Sequence, residues 1–222
     1  MKKNLIFIIL IVLIFGIVSG FTAEAKEEDS EEYKTALAVA KALDIYIRAT
    51  RELYTRNVVK KLEMEGGGAD LDSDAHEGFV PLPAQFIRAV AFNIIVKQKR
   101  LKENFIEFDL RSRWNLNRNQ GLQDDFEKEG WEFLARQQVG VTDLKSILWK
   151  PFVRVETIEG QKTLRYLNAD TATATECVSC HNKWEKQDLV RKRRKIAGVE
   201  EGKAFRLNEL IGVLSIRVSL DE

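Results

Sequence analysis

Three residues in the C-terminal third of this 222-residue chain have the types and spacing for chemistry: Cys177-Val178-Ser179-Cys180-His181 places two thiols and an imidazole within five positions. These are the only two cysteines, and His76 is the only other histidine. A C-x-x-C-H pentad is the attachment pattern of a c-type haem. The two thiolates add across the haem vinyl groups, and the adjacent imidazole becomes the proximal iron ligand. The spacing has a geometric reason. Two intervening residues put both sulfurs on one side of a tight helical turn, and the next residue turns its ring toward the iron. A dithiol redox pair or half of a zinc site shares the C-x-x-C pattern. The first wants no following histidine, and the second wants four ligands, whereas beyond the pentad this chain offers only His76. One pentad therefore predicts one covalently attached haem c, held by Cys177, Cys180 and His181.

The N-terminus predicts the compartment that this chemistry requires. Met1-Lys2-Lys3 is a short basic start, Leu5 to Val18 is apolar apart from Gly16, and Ala23-Glu24-Ala25 matches a small-x-small cleavage pattern. Residues 1–25 thus read as a secretory signal peptide. The alternative is an uncleaved membrane anchor, because Leu5 to Ala23 is just long enough to span when tilted. Either way the remainder, 26–222, is expected to lie outside the cytoplasmic membrane, in a periplasm or on its outer face, as a single domain. Removing Lys2, Lys3 and Glu24 takes the 35 basic and 34 acidic side chains to an even balance. Such a balance gives no overall pull toward nucleic acid or anionic lipid.

Around the pentad, hydrophobic periodicity predicts the elements that must position it. Tyr33 to about Met64 contains no Gly or Pro, and Leu37, Ala40, Leu43, Ile47, Tyr54, Val58 and Leu62 form an apolar stripe of one long helix. Gly66-Gly67-Gly68 ends it, and the polar stretch to Gly78 reads as a loop. A second helix is expected over Ala84–Lys99 and a third over Asp124–Gln138, with a half-buried strand, Asn104–Leu110, between them. Pro151–Ile158 and Lys162–Leu167 flank Glu159-Gly160 as a β-hairpin, and Val213–Leu220 alternates as a last strand. Strands after helices, joined by hairpins, predict an α+β domain with an antiparallel sheet.

Four blocks of the chain resemble the Tll0287-like (DUF3365) family of extracytoplasmic c-type haem domains. They are Phe79-Val80-Pro81-Leu82-Pro83-Ala84; Arg113-Trp114-Asn115-Leu116-Asn117 with Asp124-Asp125-Phe126-Glu127; Leu164-Arg165-Tyr166 running into the pentad and Asn182; and Ile211-Gly212-Val213-Leu214-Ser215. They stand in the family's order and span nearly the whole of 26–222. The resemblance implies a PAS-like antiparallel sheet with a long N-terminal helix, a haem clasped between sheet and helices, and a sensory or redox role. Two departures stand out. The chain ends at the last strand, with no kinase or chemotaxis output domain, and an extra charged segment, Lys183–Lys203, follows the pentad.

The sixth iron ligand separates electron transfer from gas binding. Some family members use a Cys there, but both cysteines here are taken. His76, Met64 and an open site remain, with His76 placed on the metal as the first choice. Arg165 and Tyr166, on the strand leading to the pentad, and Arg113 are candidates for the haem propionates, since arginine forks suit carboxylates. Trp184 could pack on the macrocycle edge or serve as ordinary core. Arg191-Lys192-Arg193-Arg194-Lys195 is either a docking patch for an acidic redox partner or anionic surface, or a solvated insertion. No enzymatic constellation is present: peroxidase chemistry would need a positioned distal acid-base group, and only His76 could serve. The expected role is that of a periplasmic haem sensor of redox state or a diatomic gas, working through a signalling partner protein. The alternative is a monohaem electron carrier with a redox partner.

Overall fold

The computed structural model describes residues 30–101, 105–199 and 203–220; the expected leader, 1–25, lies outside them. Among the described residues no helix is long and apolar enough to cross a membrane. The chain opens with α1, Glu31–Tyr54, whose N-cap Ser30 accepts a hydrogen bond from the Tyr33 N–H at 3.1 Å. A π turn, Thr55–Val59, carries the helix into α2, Lys60–Met64. Each π turn admits an extra residue, so the buried face rotates at that point. The buried stripe is accordingly Ala36, Ala40, Asp44, Ile47, Thr55 and Val59, where the sequence pattern put Tyr54, Val58 and Leu62. Tyr54 instead stacks on Phe86 at 4.5 Å and donates its hydroxyl proton to the Pro81 carbonyl at 2.8 Å.

The polar stretch expected as a loop opens on a short strand, β1, Gly68–Asp70, which pairs in parallel with β2, Phe79–Pro81, just beyond it. Their pairing needs glycine at position 67, because a β-carbon there would stand 2.0 Å from the Gly78 carbonyl oxygen. Then follow α3, Pro83–Leu101; β3, Ile106–Arg111; and α4, Asp125–Gln137, capped by the Asp124 carboxylate on the Glu127 N–H at 2.9 Å. The hairpin is present as β4, Phe152–Ile158, and β5, Gln161–Thr171, with positive φ at both Glu159 and Gly160, as a type I′ turn demands. Next come α5, Thr175–Glu185; α6, Asp188–Ala197; and β6, Leu210–Ser219. The charged segment after the pentad is therefore in large part helix.

Strands β3, β6, β5 and β4 form one antiparallel sheet in that order, giving the expected α+β architecture. Helices cover both faces. Leu164 and Tyr166 of β5 pack with Ala36, Ala40 and Ile47 of α1 and with Ile87 and Ala91 of α3. Leu167 and Ala169, pointing the opposite way, pack with Phe126, Trp131 and Leu134 of α4. Double coverage explains why β6 is buried on both sides rather than alternating between core and solvent. A third, smaller cluster at the end of the sheet joins Ala172, Phe205 and Ile211 with Cys177 and Val178.

Candidate functional site around Cys177, Cys180 and His181

Helix α5 starts three residues after β5 ends, so the sheet itself aims it. The intervening Ala172 is fixed by exchange of hydrogen bonds: its N–H donates to the Glu209 carbonyl at 3.0 Å, and its carbonyl accepts from Asn208 at 2.8 Å. Cys177 and Cys180 are unbridged and stand one helical turn apart. Just past His181, the Asn182 amide donates to the Phe205 carbonyl at 3.0 Å and accepts from the Phe205 N–H at 2.8 Å. That clamp sets the Phe205 ring edge-on to the His181 ring, with centroids 5.6 Å apart. Among the described residues the His181 ring has no hydrogen-bond partner.

The far half of the long helix closes the other side. Lys60 reaches Glu176, in the first turn of α5, at 3.0 Å. Glu176 also meets its own helix-terminal N–H, and that bond together with Lys60 holds its carboxyl below the usual range. Arg51 forms an ion pair with Asp170, and both side chains are nearly buried, 13% and 11% exposed. A shift of register between Asp170 and Thr171 marks the place where β5 parts from its regular pairing. Gly212 leaves room there: a β-carbon would lie 2.8 Å from the Arg111 carbonyl oxygen and 3.3 Å from the Asp170 carboxylate. The Arg51 Nε is buried without a hydrogen-bond partner among the described residues.

These surroundings set the state of the three motif residues. Cys180 and His181 keep accessible surface, yet protein crowds closely enough to desolvate both. Burial, with help from the nearby Arg51 and Arg194 charges, pushes the His181 pKa down to about 4. The imidazole is thus neutral at physiological pH, the form that binds a metal. Burial and the neighbouring Glu63 and Cys177 push the Cys180 thiol up. Desolvation lowers the Arg51 pKa while Cys177 opposes that change; the guanidinium remains charged. The site therefore offers two thiols, one neutral imidazole and one buried cation, with Phe205 and Val178 as apolar walls. A planar, mostly apolar, anionic macrocycle bearing a metal matches that set. Zinc does not: among the described residues no three His, Cys, Asp or Glu side chains converge on a metal position.

The other sequence candidates are dispersed. Arg165 and Tyr166 are adjacent on β5 and so face opposite sides of the sheet. Arg165, on the α4 side, meets Asp124 at 2.8 Å and Glu156 at 3.0 Å, with its guanidinium 4.2 Å above the Phe126 ring. Tyr166 donates to Asp44 at 3.0 Å on the α1 side. Both have interior partners. Arg113 meets Glu132 at 3.4 Å. His76 lies 3.8 Å from Asp70 and edge-on to Phe79 at 5.9 Å, and Met64 is 81% exposed. The His76 loop nonetheless borders the site, since Glu63, whose charge acts on Cys180, stands beside Gly68 and Phe79. Trp184 is only partly covered, at 36% exposed. Within the basic run, Arg194 is buried, bonded to Glu185 and, at 2.6 Å, to the Trp114 carbonyl.

Arg51, Asp170 and Asp44 were missed by the sequence reading. The available signal was the interruption of an apolar stripe by a carboxylate and a guanidinium seven residues apart, Asp44 and Arg51. Asp44 is 2% exposed and accepts from Arg48, Tyr166 and Asn168 through one oxygen, while its other oxygen has no partner among the described residues.

The model of the Tll0287-like family, described as Tll0287, matches residues 22–219. The chain belongs to the Tll0287-like family. Among solved structures, the chain is similar to the crystal structure of the cyanobacterial heme-protein Tll0287, with 11% identity and a TM-score of 0.41 over 61% of this chain and 71% of that one. No curated protein matches it. The family's blocks fall at the structural joints: Phe79–Ala84 makes β2 and the start of α3, Asp124–Glu127 caps α4, and Ile211–Ser215 enters β6.

Proposed function

We propose that this chain is an extracytoplasmic haem c protein of PAS-like fold, with one haem attached through Cys177 and Cys180 and with His181 as the proximal iron ligand. One observation carries the reading. The pentad lies on a single helix, and its imidazole, neutral and without a hydrogen-bond partner among the described residues, feels the charge of Arg51, a buried cation whose Nε has no partner among them. Membership of the Tll0287-like family supports the same assignment. When bound, the haem would supply one-electron redox chemistry and a metal site for small ligands. This chain's residues would hold it and set its surroundings. Arg51 places fixed positive charge beside it, Phe205 orients the His181 ring, and the π turn brings the long helix against α5.

Its role is that of a redox or diatomic-gas sensor, with electron carriage as the second reading. His76 lies beside Asp70 and Met64 is exposed, so neither is held rigidly toward the pentad, which favours a weak or exchangeable sixth site. Expression with c-haem maturation machinery should yield a haem-stained band that survives denaturation and is lost in Cys177→Ser/Cys180→Ser. A colourless wild-type product, or zinc in the haem's place, would sink the assignment. Ready CO binding by the ferrous protein would support sensing. A low-spin ferrous haem that ignores CO and NO would favour the carrier.

A further inference from the structure

A groove of about 1080 Å³ opens on the α4 side of the sheet, between α4, β4, the 113–122 connection and the end of α6. Its lining includes the half-buried rings Phe133 and Phe152 beside the buried Trp131, and cationic side chains flank them. Arg113 meets Glu132 and Arg154 meets Glu129, so those charges are largely offset. Arg118 and Arg136 also line the groove, and neither has a carboxylate partner among the described residues. The groove thus concentrates positive charge in a chain of net charge +1. Arginine and aromatic side chains are the residues that dominate protein–protein hot spots. An acidic polypeptide carrying aromatic side chains satisfies both parts of that lining; the charge complementarity is local.

A second feature ties this groove to the pentad. Starting at His181, ring contacts run to Phe205 at 5.6 Å, from Phe205 to Trp114 at 5.2 Å, and from Trp114 to Trp131 at 4.9 Å, all near edge-on. Phe205 and Trp131 are 4% and 2% exposed, so the chain of rings is packed, and in such packing a displacement at one end is felt at the other. We propose that the groove docks an acidic, aromatic-bearing segment of a partner protein, and that this ring chain couples its occupancy to the His181 site. The coupling rests on the haem reading above; the docking does not.

The test titrates a labelled peptide of alternating glutamate and phenylalanine into the full-length haem-loaded protein. Anisotropy is followed at low and at physiological ionic strength, since exposed charges are screened by salt. Saturable binding is expected, weakened about tenfold by Arg118→Gln with Arg136→Gln, the size of one lost charged contact. The α6 pair Lys192→Gln with Lys195→Gln should leave it within about twofold, as peripheral charges do. Equal losses from both pairs, no saturation, or tighter binding to phosphatidylglycerol vesicles than to the peptide would each overturn the docking. At saturation the haem absorption maximum or midpoint potential should shift. Phe205→Leu, or Trp114→Leu as an independent break, should abolish the shift while peptide binding persists. No shift despite binding, or a shift surviving in both variants, would overturn the coupling. If no haem is incorporated, the haem reading fails alone, and the same titration of the haem-free chain still decides the docking.

Discussion

Replacing Asp170 by leucine should uncouple the long helix from the base of the thiol-bearing helix. Asp170 and Arg51 are 11% and 13% exposed, and the Arg51 Nε already lacks a partner, so water cannot readily take over the lost carboxylate. Removing one member of a buried ion pair costs about 3–5 kcal/mol, chiefly because the remaining charge stays desolvated. In a protein of this length each kcal/mol moves the melting temperature by about 2–4 °C, so a fall of roughly 10 °C is expected. The double variant Arg51→Met/Asp170→Leu removes both charges and should recover most of that loss, since apolar replacements of buried pairs are close to neutral. Circular dichroism melts of wild type, both single variants and the double variant complete a double-mutant cycle. Two results would refute the reasoning. In one, Asp170→Leu melts within about 2 °C of wild type, less than a single kcal/mol. In the other, the double variant is as unstable as the two single losses added together.

Three further outcomes follow from the same geometry. Asp44→Ala should cost about 2–5 kcal/mol in urea unfolding, because the Tyr166 hydroxyl and the Asn168 amide are left buried without their acceptor, at about 1–3 kcal/mol each; Tyr166→Phe should cost far less. Gly130→Ala gains about 1 kcal/mol of helix propensity. Its methyl would nevertheless stand 2.5 Å from Leu167 Cδ2 and 2.9 Å from Phe152 Cδ1, so overpacking of about 1–3 kcal/mol should leave a net loss by thermal melt. Finally, burial opposes ionisation of Asp124, but Arg165, the Glu127 N–H and Arg217 outweigh it and hold its carboxyl below the usual range. A depressed carboxylate stabilises the fold above its unfolded pKa, near about 4, and that stability is lost as pH falls through the folded value. Asp124→Asn should therefore flatten the acid limb of a pH–stability curve while leaving the neutral limb parallel to wild type.

Much of the architecture was legible because it is local. The hairpin at Glu159-Gly160, the helix starting near Asp124 and the spacing of Cys177, Cys180 and His181 depend only on neighbours a few residues away. The short parallel pair β1–β2 escaped notice because three-residue strands carry no periodicity to read, and the close approach of Gly67 to Gly78 shows only in three dimensions. The π turn escaped for a related reason. It shifts the buried face by one residue without altering the composition of the stripe, so the pattern stayed helical while the inward residues changed.

By itself, then, the sequence determined which atoms could do chemistry and that one helix carries them, since five consecutive residues dictate both. Alternation along a strand, a property of the backbone, also implies that Arg165 and Tyr166 face opposite ways, which their joint assignment to the propionates did not use. Only the tertiary structure decided what those residues do. Arg165 was drawn to Asp124 and Glu156 and Tyr166 to Asp44, partners 41, 9 and 122 positions away, by helices covering both faces of the sheet. The same packing placed Arg51 against Asp170 and beside Cys177, and strung Phe205, Trp114 and Trp131 behind His181. Such contacts join segments far apart in the chain, and long-range pairing is set by burial and desolvation summed over the whole core, which no local window of residues encodes.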